Sequence, residues 1–199
     1  MSNKKFITLT LSLLVVLVVA FVCFAGCDSV YKSLNKIIND NYDNITVTIT
    51  TEQDGFTLTS TFSVKNTNGQ SIVNYSVQNF LPIDANAGVS GDGIETKVGT
   101  VILKDGKVVE QTGDPVDITF GDVTNINLHF SESNLADVTD ENGIFSAKVT
   151  NPQRFMDSPS LTCSDMTVMF AYEGSANYTV VIRYLSEAGA AVTINYTFA

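Results

Sequence analysis

Apolar residues recur with two different periods along this chain, and each period predicts a different kind of element. The first is helical, because residues spaced at i, i+4, i+7 and i+8 fall on one stripe of an α-helix. Four aliphatic residues follow this spacing, namely Val30, Leu34, Ile37 and Ile38. Asp28 and Ser29 precede them, and these residue types cap helix N-termini. The spacing predicts a helix over 30–38 whose apolar stripe packs on the rest of the domain.

From residue 45 onward the period is two, which is typical of β-strands that bury one face. Ile45, Val47 and Ile49 alternate with threonines, and about nine segments read as strands in this way. These segments are residues 45–50, 56–64, 73–77, 97–104, 107–111, 144–150, 166–172, 177–185 and 191–198. Several are separated by Asp-Gly or Asn-Gly pairs, which favour two-residue turns between antiparallel strands.

The same alternation predicts which side chains form the core of the sheet. The inward-facing positions are Ile45, Val47, Ile49, Phe56, Leu58, Phe62, Val180, Ile182, Ile194 and Tyr196. The outward-facing positions are Thr46, Thr48, Thr57 and Thr59. Such a division is expected for an antiparallel sheet that packs on one side and is solvated on the other.

A few stretches have no clear period. Residues 82–95 are rich in Gly, Asp and Asn and predict a long loop. Residues 114–143 are the least regular part of the chain, and 133–136 are interpreted as a helical turn. Asn151 and Pro152 predict the cap and first position of a short helix that contains Phe155 and Met156.

The chain has no alternation of strands and helices, which excludes a doubly wound α/β fold. It predicts one mainly β (β-rich α+β) domain over residues 27–199. The expected architecture is a curved antiparallel sheet or half-barrel with an N-terminal helix, and the alternative is a two-sheet β-sandwich. In element order, a helix followed by antiparallel hairpins, the domain resembles the bacterial lipoprotein-carrier class. That resemblance implies a sheet whose concave side wraps an apolar ligand or a helix.

The N-terminal segment has the three parts of an export signal. Lys4 and Lys5 are followed by a run over residues 6–25 that is apolar except for three hydroxyl side chains. The small residues Ala25 and Gly26 then precede Cys27. Export through such a signal would place the domain outside the cytoplasm.

The sequence Phe24-Ala25-Gly26-Cys27 resembles the lipobox of bacterial prolipoproteins, with Phe24 where that family has an aliphatic residue. The resemblance implies a signal peptide over residues 1–26, cleavage between Gly26 and Cys27, and a lipid on Cys27 that anchors the domain to the cell membrane. The residues leave one alternative open, an uncleaved anchor, because about twenty apolar residues in a helix span ~30 Å.

Charge narrows the range of partners. The chain has 11 basic and 21 acidic side chains and a net charge of −10. Lys4 and Lys5 are the only charged residues before Cys27, so the remainder is more acidic still. A surface of this charge repels phosphate backbones, which argues against a nucleic-acid partner.

Candidates for catalysis are few. His129 is the only histidine, and no Gly-x-Ser-x-Gly motif accompanies it. Most acids lie at turns, where turn chemistry explains them. Cys163 has no adjacent Cys or His and is expected to be a small buried residue. The sequence therefore predicts no catalytic residue and no cofactor.

One loop has spacing similar to that of a Ca²⁺-binding loop. Positions one, three, nine and twelve of such a loop would be Asp84, Asn86, Asp92 and Glu95. Gly88 stands at the fifth position and Val89 at the sixth, where the motif requires a glycine. A plain surface loop is therefore the preferred interpretation, and no metal site is predicted.

Two hypotheses about function follow. The first is a membrane-tethered, non-enzymatic binding module for an apolar or extended ligand, or for an envelope protein. The alternative is a hydrolase of envelope or nutrient polymers, which would need two facing carboxylates or a site around His129. An apolar cavity beside the 30–38 helix would favour the first, and a cleft with two facing acids the second.

Overall fold

The described residues contain ten strands, which pair into one antiparallel sheet. The computed structural model describes residues 30–80, 93–172 and 177–199. The strands are β1 (Asn44–Gln53), β2 (Phe56–Thr67), β3 (Gln70–Phe80), β4 (Ile94–Lys104), β5 (Lys107–Gly113), β6 (Leu135–Glu141), β7 (Ile144–Val149), β8 (Cys163–Tyr172), β9 (Tyr178–Ser186) and β10 (Ala191–Phe198). The described helices are α1 (residues 30–38), α2 (Gly121–Thr124) and α3 (Pro152–Phe155). The predicted mainly β class with an N-terminal helix is confirmed.

The strand order is β5-β4-β3-β2-β1-β10-β9-β8-β7-β6. Each half of the sheet is a five-stranded meander, and the two halves meet at the centre where β1 pairs with β10. The register there joins Ile45 to Phe198. The sheet is open and uncurled. The described strands therefore form one antiparallel sheet, without the curvature of the expected half-barrel and without the second sheet of a sandwich.

Four hairpins share the same two-residue turn, in which both residues have positive φ. The turns are Asp54-Gly55, Asn68-Gly69, Asp105-Gly106 and Asn142-Gly143. Asp and Asn tolerate the left-handed region better than other side chains, and glycine enters it without steric cost. The turn chemistry of the sequence therefore dictates the local connections of both meanders.

The connection between β5 and β6 runs from one edge of the sheet to the other. This crossover segment, residues 114–134, contributes Phe120, Val123, Leu128 and Phe130 to the same buried cluster as the inner face of the sheet. Together with α1 and α3, it forms the layer that covers that face. The opposite face presents exposed or half-buried threonines, as predicted for Thr46, Thr48, Thr57 and Thr59.

Most of the predicted core is buried. Burial is confirmed for Ile45, Val47, Phe62, Val180, Ile182, Ile194 and Tyr196. Ile49 and Leu58 are only half-buried. Phe56 lies on the predicted inner face, since it pairs with Gln53 in the β1–β2 register. It is not part of the core, because its side chain is 46% exposed. Phe56 begins β2 beside the β1–β2 turn, where it packs on Phe80, itself 48% exposed, with ring centroids 5.8 Å apart.

Helix α1 covers the sheet as its apolar stripe predicts. Leu34 and Ile38 are buried, while Val30 and Ile37 are half-buried against the same core. Tyr31, which the sequence prediction left out, is also buried. Its position one turn before Leu34 extends the stripe toward the helix N-terminus.

An aromatic cluster, defined as Tyr31, Phe130, Phe145 and Phe155, joins α1, the crossover segment, β7 and α3. Phe130 lies at its centre, with ring centroids 5.8 Å from Phe145 and 5.3 Å from Phe155. Tyr31 packs on Phe145 at 6.4 Å. All three contacts are edge-to-face, the arrangement that the ring quadrupoles favour.

Asn35 joins the helix to the crossover segment by a pair of hydrogen bonds. Its Nδ2 donates to the carbonyl of Phe130 at 2.8 Å, and its Oδ1 accepts from the Phe130 backbone N–H at 2.9 Å. The amide thus replaces the strand partner that this extended backbone lacks. Buried backbone groups need such partners, because an unsatisfied one is costly.

Two local predictions have different outcomes. The short helix after Asn151 is confirmed, and the Asn151 side chain accepts from the Arg154 N–H at 3.2 Å. The helical turn over 133–136 is wrong, because β6 begins at Leu135. The loop predicted over 82–95 lies mostly outside the described residues, and β4 already includes residues 94 and 95.

Candidate functional site

The predicted lipidation and cleavage residues, Gly26 and Cys27, lie outside the described residues. The same holds for Asp84, Asn86 and Asp92 of the calcium-like loop.

The fourth residue of that loop, Glu95, lies in β4 and forms an ion pair with Lys97 at 3.6 Å. In the ranges that the structure describes, no three His, Cys, Asp or Glu residues are grouped so that they could hold a metal ion.

His129 is exposed on the crossover segment, on the opposite side from the buried Leu128 and Phe130. Its backbone has the structural role: the N–H donates to the carbonyl of Phe155 at 2.9 Å, and the carbonyl accepts from Asn134 Nδ2 at 3.1 Å. The first contact connects the crossover segment to α3, and the second lies within the crossover segment. His129 thus holds the two segments together through its main chain.

Cys163 begins β8 and is half-buried against the core, which agrees in part with the buried position expected for it. Burial raises the pKa of its thiol. Burial also raises the pKa of Tyr184, with a smaller contribution from Cys163. Because the neutral thiol is favoured, and the thiolate is the reactive form, the position suits packing rather than nucleophilic chemistry.

The most suitable site for a ligand is a cavity between the centre of the sheet and the covering layer, called here the apolar cavity. Its volume is about 690 Å³, within the range of small-molecule sites. The sheet contributes the inner face of β1 and β10, with Val47, Ile49, Ile194 and Tyr196. The covering layer contributes Val123, Ile126, Leu128 and Met156.

Three side chains mark where the apolar cavity opens. Ile49, Ile126 and Met156 are half-buried, although their neighbours Val47, Leu128 and Phe155 are fully buried. Aliphatic side chains in the middle of a sheet are expected to be covered, since burying each is worth ~1.5–3 kcal/mol. Here the covering layer leaves them accessible, so apolar surface is available to a ligand.

Polar residues also line the apolar cavity, among them Thr124 and Asn125. Asn127 Nδ2 donates to Asp157 Oδ2 at 2.6 Å, and Ser158 lies beside them. Asp157 follows α3 with φ of 48°, a conformation that Asp and Asn adopt more readily than other side chains. A few polar groups on the lining of an apolar cavity are typical of sites that orient a ligand.

A second space, the polar groove, adjoins the apolar cavity beyond residues 124–126, which line both. It has a volume of about 790 Å³ and lies between the end of α1 and the β2–β3 and β4–β5 turns. Its charged side chains are Asp40, Asp43, Lys65 and Asp105. Most of its other walls are turn residues and backbone.

Sequence reasoning did not find the apolar cavity, although it found part of one wall. The alternation of Ile45, Val47 and Ile49 predicted the sheet side correctly. The other wall comes from the irregular 114–134 segment, where alternating Ile126, Leu128 and Phe130 were the only signal. That signal shows buried positions but not which element they cover.

The described helices are short or polar. Within residues 30–80, 93–172 and 177–199, none has both the length and the apolar character needed to cross a membrane.

Comparison with other proteins adds no family to this picture. No protein-family model and no curated protein sequence matches the chain.

Proposed function

We propose that this protein is an extracytoplasmic bacterial lipoprotein whose β-domain is a non-enzymatic binding module. The observation that supports the binding role is the apolar cavity, where Ile49, Ile126 and Met156 keep accessible apolar surface beneath a covering layer. An apolar or extended ligand would complete the burial of these side chains. That burial supplies the driving force for binding.

The tethering role is supported by the N-terminal sequence. Cys27 follows a positively charged start, a long apolar run and two small residues. Helix α1 is already packed on the sheet at Tyr31. Only a few residues separate a lipid on Cys27 from the folded domain, so the domain would be held close to the bilayer.

Metabolic labelling with a clickable fatty acid tests the tether. The wild-type chain should take up label, and Cys27→Ser should not. Cys23→Ser is the matched control, because Cys23 lies in the same segment and should leave labelling unchanged. Label that persists in Cys27→Ser would exclude the proposed lipid site.

Native mass spectrometry of the extracted full-length protein tests the binding role. The expected result is a mass adduct that survives removal of detergent and is released on unfolding. Ile49→Phe should reduce that adduct because the larger ring occupies the apolar cavity. Ile72→Phe is the matched control, since Ile72 pairs with Ile102 on the opposite face of the sheet. An adduct that responds equally to both variants would argue against binding in the apolar cavity.

A further inference from the structure

One carboxylate lies on the lining of the apolar cavity. Among the described residues that line it, Asp157 is the only one with a charged side chain. The Oδ2 of its carboxylate accepts from Asn127. A carboxylate oxygen can accept more than one hydrogen bond, so Asp157 retains capacity for a donor from a ligand.

The adjoining polar groove has the same character. Among the described residues that line it, three carboxylates, Asp40, Asp43 and Asp105, outnumber one cation, Lys65. A ligand that extends from the apolar cavity past residues 124–126 would therefore meet further negative charge. A carboxylate or phosphate group would meet more repulsion than attraction there, because like charges at short range raise the energy of both.

We propose that the apolar cavity binds amphiphiles with a cationic, ammonium-type head. Their alkyl chain lies against Ile49, Ile126 and Met156, and the ammonium group donates to the Asp157 carboxylate. This inference rests on the proposed binding function and specifies its ligand class. It selects against fatty acids and anionic lipids, which otherwise fit an apolar cavity of this size.

The proposal is tested by photo-crosslinking of the full-length chain in vesicles of phosphatidylcholine, a lipid with no net charge. Three probes share one eight-carbon chain with a diazirine and differ only in the head: ammonium, hydroxyl or carboxylate. Labelled peptides identified by mass spectrometry should include residues 121–128 or 156–158. The ammonium probe should label them about two- to fivefold more than the hydroxyl probe, the range expected for an exposed ion pair. The carboxylate probe should label least.

Asp157→Asn separates charge from shape. Asparagine adopts positive φ as readily as aspartate, and its Oδ1 can still accept from Asn127. The preference for the ammonium probe should disappear, while labelling by the hydroxyl probe should stay unchanged. Asp54→Asn is the matched control, because Asp54 has a similar φ of 52° but belongs to the β1–β2 turn, away from the apolar cavity. That variant should keep the preference.

The outcomes distinguish this inference from the function on which it rests. If no probe labels the walls of the apolar cavity, the binding role itself fails. If all three probes label those walls equally, or if Asp157→Asn leaves the preference intact, the apolar cavity binds ligands but the cationic class is wrong.

Discussion

The aromatic cluster and the apolar cavity lie beneath the same crossover segment, yet they are built in opposite ways. In the aromatic cluster, Phe130 and Phe155 are 1% and 0% exposed and contact each other edge to face. In the apolar cavity, aliphatic side chains of the sheet and the covering layer face one another across open space. One chain segment thus closes the core at one point and leaves it accessible at another.

The difference separates a region that stabilises the domain from the region proposed to bind a ligand. Large rings fill the space between layers and fix their separation. Ile49 and Met156 line the apolar cavity and are only half-buried. The two regions should therefore respond differently to substitution.

The largest expected effect is that of Leu34→Asp, which places a charge in the packed layer. Leu34 is 5% exposed on α1. Losing its burial and introducing an unpaired carboxylate should lower the free energy of unfolding by about 4 kcal/mol or more. Chemical denaturation of the full-length chain measures this. Lys32→Asp, on the exposed side of the same helix, should change stability by less than about 0.5 kcal/mol. Equal effects would show that α1 is not part of the core.

Two adjacent residues give the sharpest comparison. Phe155 belongs to the aromatic cluster and Met156 to the apolar cavity. Phe155→Ala should cost about 3–5 kcal/mol. Met156→Ala should cost about 1 kcal/mol, because its side chain is already partly solvated. Thermal or urea unfolding of both variants measures the difference, and similar losses would contradict the distinction between the two regions.

Asn35→Ala tests the hydrogen bonds that hold α1 to the crossover segment. The substitution leaves the Phe130 backbone N–H and carbonyl without their partners, and it should cost about 2 kcal/mol. Amide exchange at Phe130 should accelerate in the same variant. Lys36→Ala is the control, since Lys36 is exposed on the same helix. Equal losses of stability in the two variants would show that the Asn35 hydrogen bonds do not stabilise the packing of α1.

The smallest expected effect is on the free energy of unfolding at alkaline pH, through Tyr42. Burial, followed by the charges of Tyr178 and Asp40, raises the pKa of Tyr42 to about 12. The unfolded chain ionises this phenol near pH 10. Between these values the unfolded state therefore loses its proton first, and the free energy of unfolding should fall as pH rises from about 10 to about 12.

Tyr42→Phe removes this pH dependence and the hydrogen bond from Tyr42 to the Ile37 carbonyl at 2.7 Å. At neutral pH it should cost about 1 kcal/mol. At alkaline pH its stability should decline less steeply than that of the wild type. Tyr172→Phe, at a position 51% exposed, should follow the wild-type curve. Parallel stability curves for Tyr42→Phe and the wild type would contradict the raised pKa of Tyr42 in the folded state.

Local chemistry made much of this fold predictable. Two-residue turns such as Asp54-Gly55 depend on residue type alone, and the alternation beside them follows from one buried face. Strand β6 escaped prediction for a local reason too. It lies at the edge of the sheet, and Asp137, with φ of 51°, interrupts its pairing to β7. The alternation that marks inner strands is therefore absent there.

The candidate site was less predictable because its geometry is long-range. Asn35 and Phe130 are 95 residues apart, and no periodicity connects them. The apolar cavity likewise forms between β1 and β10 on one side and the crossover segment and α3 on the other, which are far apart in sequence. Asp157 has no sequence signal that separates it from the other acids near turns.

The pairing of the first and last strands has a consequence for how the chain folds. Each meander forms from hairpins between neighbouring segments, which are fast to close. The central pair joins Ile45 to Phe198, nearly the full length of the described chain, and such non-local contacts form slowly because the loop entropy must be lost first. The sheet therefore cannot be completed until its last residues have been synthesised. For a chain that must cross a translocation pore unfolded, the late formation of the central pair would lengthen the time before it folds.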